Sequence, residues 1–159
     1  MKIGISTCLA GINCTYKGTN NLVLGLKKLY DEGRIIAVCP EVLGGLSIPR
    51  PPAEIKQHNP LVVENQLGQD VTQEYLLGAQ KALDIFLEKD VDVAVLKYRS
   101  PSCGNDGIYD GTFSHTLIEG QGVFAKMLKD NGIKVFNESE IEKFLEYVGG
   151  EEYGKYFKD

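Results

Sequence analysis

The chain has 159 residues, 43% hydrophobic and 25% charged, with a net charge of −5. That is enough for one domain with a real core and too little for two ordinary ones. The acidic balance argues against a nucleic-acid polymer or an anionic membrane surface as partner, and no run of eighteen apolar residues is present to span a bilayer.

Residues 2–9, KIGISTCL, alternate and end near a cysteine, which predicts a first strand rather than a signal peptide. A polar loop, AGINCTYKGTN, follows. Leu22, Leu26 and Leu29 then fall near helical spacing, with Gly33 as the stop. RIIAVCPE reads as a short buried strand ended by Pro40. Residues 40–55, rich in glycine and proline, read as a long irregular loop. PLVVENQLGQDVT predicts a hairpin turning near Leu67-Gly68, and Thr72 a cap for the helix that follows. In that helix Tyr75, Leu76, Ala79, Leu83, Phe86 and Leu87 line one side. VDVAVLKY predicts a third strand of the main sheet, and residues 100–122 a second long loop. A helix closed by Gly132, the strand IKVFNE and a last helix opened by Ser139 complete the pattern. The tail from Gly149 carries no readable pattern.

Strands alternating with helices predict an α/β fold, a single-domain Rossmann-like three-layer sandwich over residues 1–159. Its sheet is mostly parallel, covered on both faces, with long loops at the C-terminal edge. Compact domains seldom keep two such loops without a use for them.

That edge is where the cysteines fall. Cys8 ends the first strand, Cys39 ends the second, and Cys103 follows the third by a few residues. Strand C-termini of a parallel sheet share one edge, so three thiols distant in sequence are expected to converge where open α/β sheets bind ligands. No C-x-x-C is present, which excludes zinc-ribbon and thioredoxin patterns. The chain is expected in the cytoplasm, where thiols stay reduced and serve metals or catalysis rather than disulfides. Any one buried cysteine often just packs. Three at equivalent strand ends, beside Gly, Pro and Ser, point to a shared metal or cluster site. Cys14 either completes a closed four-thiolate set or is a spare thiol beside a centre with one open position.

The surrounding loops supply other candidates. Glu41, two residues after Cys39, is placed as a general acid or base. Ser100 and Ser102 flank Cys103, each available to a substrate or to sulfur, or else forming an ordinary Ser-Pro turn. Gly44, Gly45 and Gly104 permit close backbone approach to a ligand. Arg50 either grips an anion or pairs with Glu54. His58 and His115 read as surface residues. Neither a P-loop nor a dinucleotide fingerprint is present.

STCLAGINCTYKG, VCPEVLGGLSIPRPPAEI and LKYRSPSCG, in this order, resemble the thiouracil desulfidases, a bacterial and archaeal family, here in its short single-domain form. The resemblance runs from the first strand through the last helix. Thr7 and Ala10 depart from the family's SACLLG beside the first cysteine. It implies a [4Fe-4S] cluster held by Cys8, Cys39 and Cys103, with one iron free for substrate sulfur. Glu41 and Ser100 would be catalytic. Ser102, Arg50 and Gly44, read from the loops themselves, are added as substrate-binding candidates. The implied reaction is hydrolytic and non-redox: sulfide is released from a small thiolated heterocycle such as 2-thiouracil. Two other readings stand beside it. One is an iron-sulfur protein passing sulfide to an acceptor such as transfer RNA, which the acidic charge disfavours. The other is a structural zinc module using all four cysteines.

Overall fold

In chain order the elements are β1 (Ile3–Ser6), a 3-10 turn (Thr7–Ala10), α1 (Leu24–Asp31), β2 (Ile35–Val38), α2 (Pro40–Leu43), β3 (Ala53–His58), β4 (Leu61–Asn65), α3 (Thr72–Glu88), β5 (Val93–Leu96), β6 (Ile108–Tyr109), β7 (Leu117–Ile118), α4 (Val123–Asp130), β8 (Lys134–Asn137), a 3-10 turn (Glu138–Glu140), α5 (Ile141–Val148), α6 (Glu151–Gly154) and a final 3-10 turn (Lys155–Phe157). The structure, a computed structural model, describes residues 1–158.

Four strands form one parallel sheet in the order β2-β1-β5-β8. Its residues are short, apolar and largely β-branched, as a sheet buried on both faces requires. Alternation sorts them. Val93 and Val95 of β5 join Ile3, Ile5 and Ile35 under α1 and α5, around the fully buried Leu26, Leu29 and Phe144. Ala94 and Leu96 join Val38 and Val135 under α3 and α4, around Phe86 and Phe124. Burying each of these large side chains contributes about 1.5–3 kcal/mol. Strand order reverses between β1 and β5, and that switch point opens a crevice at the C-terminal edge. No helix among the described residues is long and apolar enough to cross a membrane.

The α/β sandwich with a parallel sheet is as expected, and several local expectations are revised. Cys8 lies not in β1 but in the 3-10 turn after it. The loop after β2 begins with a one-turn helix, α2, with Pro40 at the first helical position, where its missing N–H costs nothing. The main hairpin pairs β3 with β4 and turns at Asn59-Pro60. Leu67-Gly68 does form a tight turn, but beyond β4, closed by a single bridge between Glu64 and Asp70. Thr72 does not cap α3. Its Oγ1 accepts the Val63 N–H at 2.9 Å, while the Asp70 carboxylate accepts the Thr72 N–H.

Ser139 does not open α5: it lies inside the 3-10 turn leading into that helix, and Asn137 opens that turn, its Oδ1 accepting from Ser139 N while Glu140 accepts from Asn137 N, a reciprocal capping box. The second long loop carries its own small hairpin, β6 with β7. The tail folds back as α6 and a 3-10 turn over the α1 layer. There Tyr153 is buried and the Arg34 guanidinium lies over the Tyr153 ring.

Candidate active site

Each strand end delivers a cysteine by a different local device. After β1 the chain turns into its 3-10 helix, and the Cys8 carbonyl accepts from Gly11 N and Asn21 N. After β2, Cys39 is the residue that enters α2. That short helix is pressed onto α3. A Cβ on Gly78 would lie 1.8 Å from the Pro40 carbonyl oxygen, and one on Gly44 would lie 2.0 Å from that of Glu74, so only two glycines permit this crossing.

After β5, residues 100–104 fold into a turn seated on the start of α4. The Val123 N–H bonds Pro101 O, and the N–H groups of Phe124 and Ala125 bond Ser102 O. The exposed donors of a helix start are thereby satisfied by the turn that presents Cys103.

These turns wall a cavity of about 620 Å³ at the C-terminal edge. All four cysteines line it, together with Glu41, Arg50, Ser100 and Ser102. Every cysteine is a free thiol. Cys14 lies between Cys8 and Cys39. The Cys14 thiol hydrogen-bonds both neighbours, which lowers Cys8 and, against the effect of burial, lowers Cys39 to about 7. Cys14 itself is pushed up and keeps its proton. Burial pushes the Cys103 thiol well up.

Glu41 projects from α2 into the cavity wall and forms an ion pair with Arg50, their side chains 14% and 5% exposed. The expected partner of Arg50, Glu54, is engaged elsewhere. It accepts from Gly111 N at 3.0 Å and Phe113 N at 3.2 Å, pinning the second long loop to β3. The Arg50 guanidinium also donates to Ser47 O at 3.1 Å and to Cys14 O at 3.0 Å. Gly44 is not part of the cavity wall; its backbone meets α3.

Ser100 Oγ accepts from Ser102 N at 3.1 Å and Cys103 N at 3.0 Å, which leaves its O–H as a donor. Ser102 is 1% exposed and its hydroxyl has no partner among the described residues. A buried orphan hydroxyl costs about 1–3 kcal/mol unless something bonds it, so its place in this wall points to a ligand atom.

Three wall residues escaped sequence reading. Tyr75 looked like one more apolar residue of the α3 stripe, yet its hydroxyl reaches Glu41, and burial pushes the phenol well up. His115 is brought into the wall by the fold-back of the second loop, its ring edge-on to Tyr109 at 5.3 Å. Ser6, the last residue of β1, is buried beside Cys103. Only Ser6 carried a signal, its position at a strand end two residues before a cysteine.

The wall is thiol-rich, and a family model for 2-thiouracil desulfurase matches residues 3–140. The chain belongs to the 2-thiouracil desulfurase family. It is 40% identical over 148 residues to YbbK of Bacillus subtilis (strain 168), an uncharacterized protein; the alignment covers 89% of this chain and 98% of that one. It is also similar to the solved structure of the [4Fe-4S]-dependent thiouracil desulfidase TudS. That match has a TM-score of 0.86 at 39% identity and covers 93% of this chain and 97% of the other.

The donor set can be tested against the group that family membership suggests. Among the described residues, no three Cys, His, Asp or Glu side chains converge as ligands of one ion would. The thiols stand instead around a cavity wide enough for a polynuclear group and a small ring, and sulfur-only donors suit iron-sulfur centres. The residues present fit a [4Fe-4S] cluster.

Proposed function

We propose that this protein is a [4Fe-4S]-dependent desulfidase that removes sulfur hydrolytically from a small thiolated nucleobase of the 2-thiouracil type. The observation that carries the reading is the meeting of Cys8, Cys39 and Cys103, from three separate strand ends, in one cavity wall with Glu41 and Ser100. Membership of the 2-thiouracil desulfurase family and the likeness to a solved thiouracil desulfidase support it.

Cys8, Cys39 and Cys103 would hold the cluster, and Cys14 would stay a protonated neighbour. When bound, the cluster would supply a Lewis-acidic iron with affinity for sulfur. The chain does the proton work. Glu41, positioned by its ion pair with Arg50, takes a proton from water as the water attacks the ring carbon, and returns it as sulfide leaves. Ser100, whose oxygen is already occupied by two N–H groups, donates its O–H to a ring heteroatom. The unpaired Ser102 hydroxyl provides a second donor in the same wall. The sum is one thiocarbonyl and one water giving one carbonyl and hydrogen sulfide, with no net electron transfer.

The test is anaerobic purification with iron and sulfide analysis, then incubation with a panel of thiolated nucleobases. Four irons per chain and sulfide release without any acceptor are expected. A colourless protein with one zinc, or sulfide appearing only when an acceptor RNA is supplied, would overturn the reading.

A further inference from the structure

Two buried or partly buried polar side chains at the cavity have no role in the chemistry above, and both face cysteine sulfur. Asn21 grips Cys8 twice. Its backbone N–H bonds the Cys8 carbonyl at 3.0 Å, and its side-chain Nδ2 donates to Cys8 Sγ at 3.5 Å. Ser6 is almost fully buried at the end of β1. Its Oγ accepts the N–H of Lys97, the first residue beyond β5, at 2.9 Å. With Lys97 N–H on one side of the oxygen, the hydroxyl proton is directed elsewhere, and Cys103 is its neighbour in the cavity wall. One hydroxyl thus ties the switch-point strands together and faces the sulfur delivered by the second of them.

We propose that Ser6 and Asn21 are positioning residues that tune the metal centre through its ligands, Ser6 through Cys103 and Asn21 through Cys8. This rests on the reading of those two cysteines as cluster ligands. A donor on a thiolate withdraws electron density from sulfur, leaves the iron poorer in electrons and makes the cluster easier to reduce. The same withdrawal strengthens the iron as an acceptor for substrate sulfur. In a non-redox enzyme the reduction potential is an independent gauge of that electronic effect, since turnover does not use it.

The experiment compares wild type, Ser6→Ala, Ser6→Thr and Asn21→Ala after anaerobic reconstitution. Iron and sulfide are counted, the midpoint potential is taken from a redox titration of the paramagnetic signal, and turnover is measured. Expected are full cluster loading and potentials shifted negative in Ser6→Ala and Asn21→Ala, with slower turnover. Ser6→Thr, which keeps the hydroxyl, should return to the wild-type potential. Should Ser6→Ala fail to hold iron, Asn21→Ala, at a partly exposed position, decides the question alone. Full loading with unchanged potentials overturns the proposal and leaves the ligand assignment standing. A wild-type protein that takes up no cluster overturns both.

Discussion

The Arg50 guanidinium reaches three things at once: the carboxylate of Glu41, the carbonyl of Cys14 and the carbonyl of Ser47. One buried cation therefore fixes the proposed base, the loop of the fourth thiol and the proline-rich segment relative to each other. Removing one partner of such a pair leaves the other charge buried, which typically costs about 3–5 kcal/mol. Arg50→Ala, which also loses the bonds to the Cys14 and Ser47 carbonyls, should lower the urea midpoint more than Glu41→Gln, which leaves Arg50 bonded to both. Equal midpoints would show that the pair does not hold this wall.

Glu41→Gln isolates the chemistry from the scaffold. The variant should keep its full iron and sulfide content while turnover falls by roughly 10²-fold or more, the usual share of a general base. Single-turnover assays on protein of known cluster content make the comparison. Unchanged turnover removes Glu41 from the mechanism.

The four cysteines should divide three to one. Cys8→Ser, Cys39→Ser and Cys103→Ser should each lose the cluster, whereas Cys14→Ser should retain four irons. Iron and sulfide analysis of the four variants decides it. Loss of iron in all four alike would favour a closed four-thiolate centre.

In the cluster-free chain the thiols should also differ in pH response. Cys39, lowered to about 7 chiefly by the Cys14 thiol, has its thiolate favoured in the folded state. The associated stabilisation is present above the thiol's unfolded value and is lost as pH falls through about 7. Alkylation with iodoacetamide should therefore modify Cys39 first at neutral pH, with a rate that halves near pH 7. Cys103, pushed well up by burial, should resist until the protein unfolds. Mass spectrometry of peptides taken at intervals gives the order.

Gly78→Ala probes the seat of α2. The added Cβ would fall 1.8 Å from the Pro40 carbonyl oxygen, so α2 must shift. A loss of about 3 kcal/mol is expected from such overpacking, read from urea denaturation, with turnover reduced because α2 carries Glu41. Stability and turnover both at the wild-type level would mean that the two helices part without consequence.

The four strands of the parallel sheet, the helices between them and the placing of three cysteines at its C-terminal edge were legible in the chain, because hydrophobic period and strand polarity are local properties, whereas α2, the β3–β4 pairing, the β6–β7 hairpin and α6 were not. The family resemblance was legible in three short motifs. Local chemistry could not determine which groups pair. Glu54 lies four residues from Arg50, and Glu41 lies nine away, yet α2 folds back on α3 through Gly44 and Gly78 and brings Glu41 to Arg50, while Glu54 turns to the second loop. Thr72 and Ser139 looked like helix caps because of their residue type, but Asp70 and Asn137 were better placed to accept the open N–H groups. Tyr75 and Ser6 showed only an apolar stripe and a strand end. The Ser6 hydroxyl acquires its partner across the switch point and Tyr75 meets Glu41 on α2, each a residue tens of positions away. The sequence by itself determined the elements and where its thiols would gather. Tertiary structure alone decided which buried polar atom meets which, because that depends on contacts between segments that no local pattern encodes.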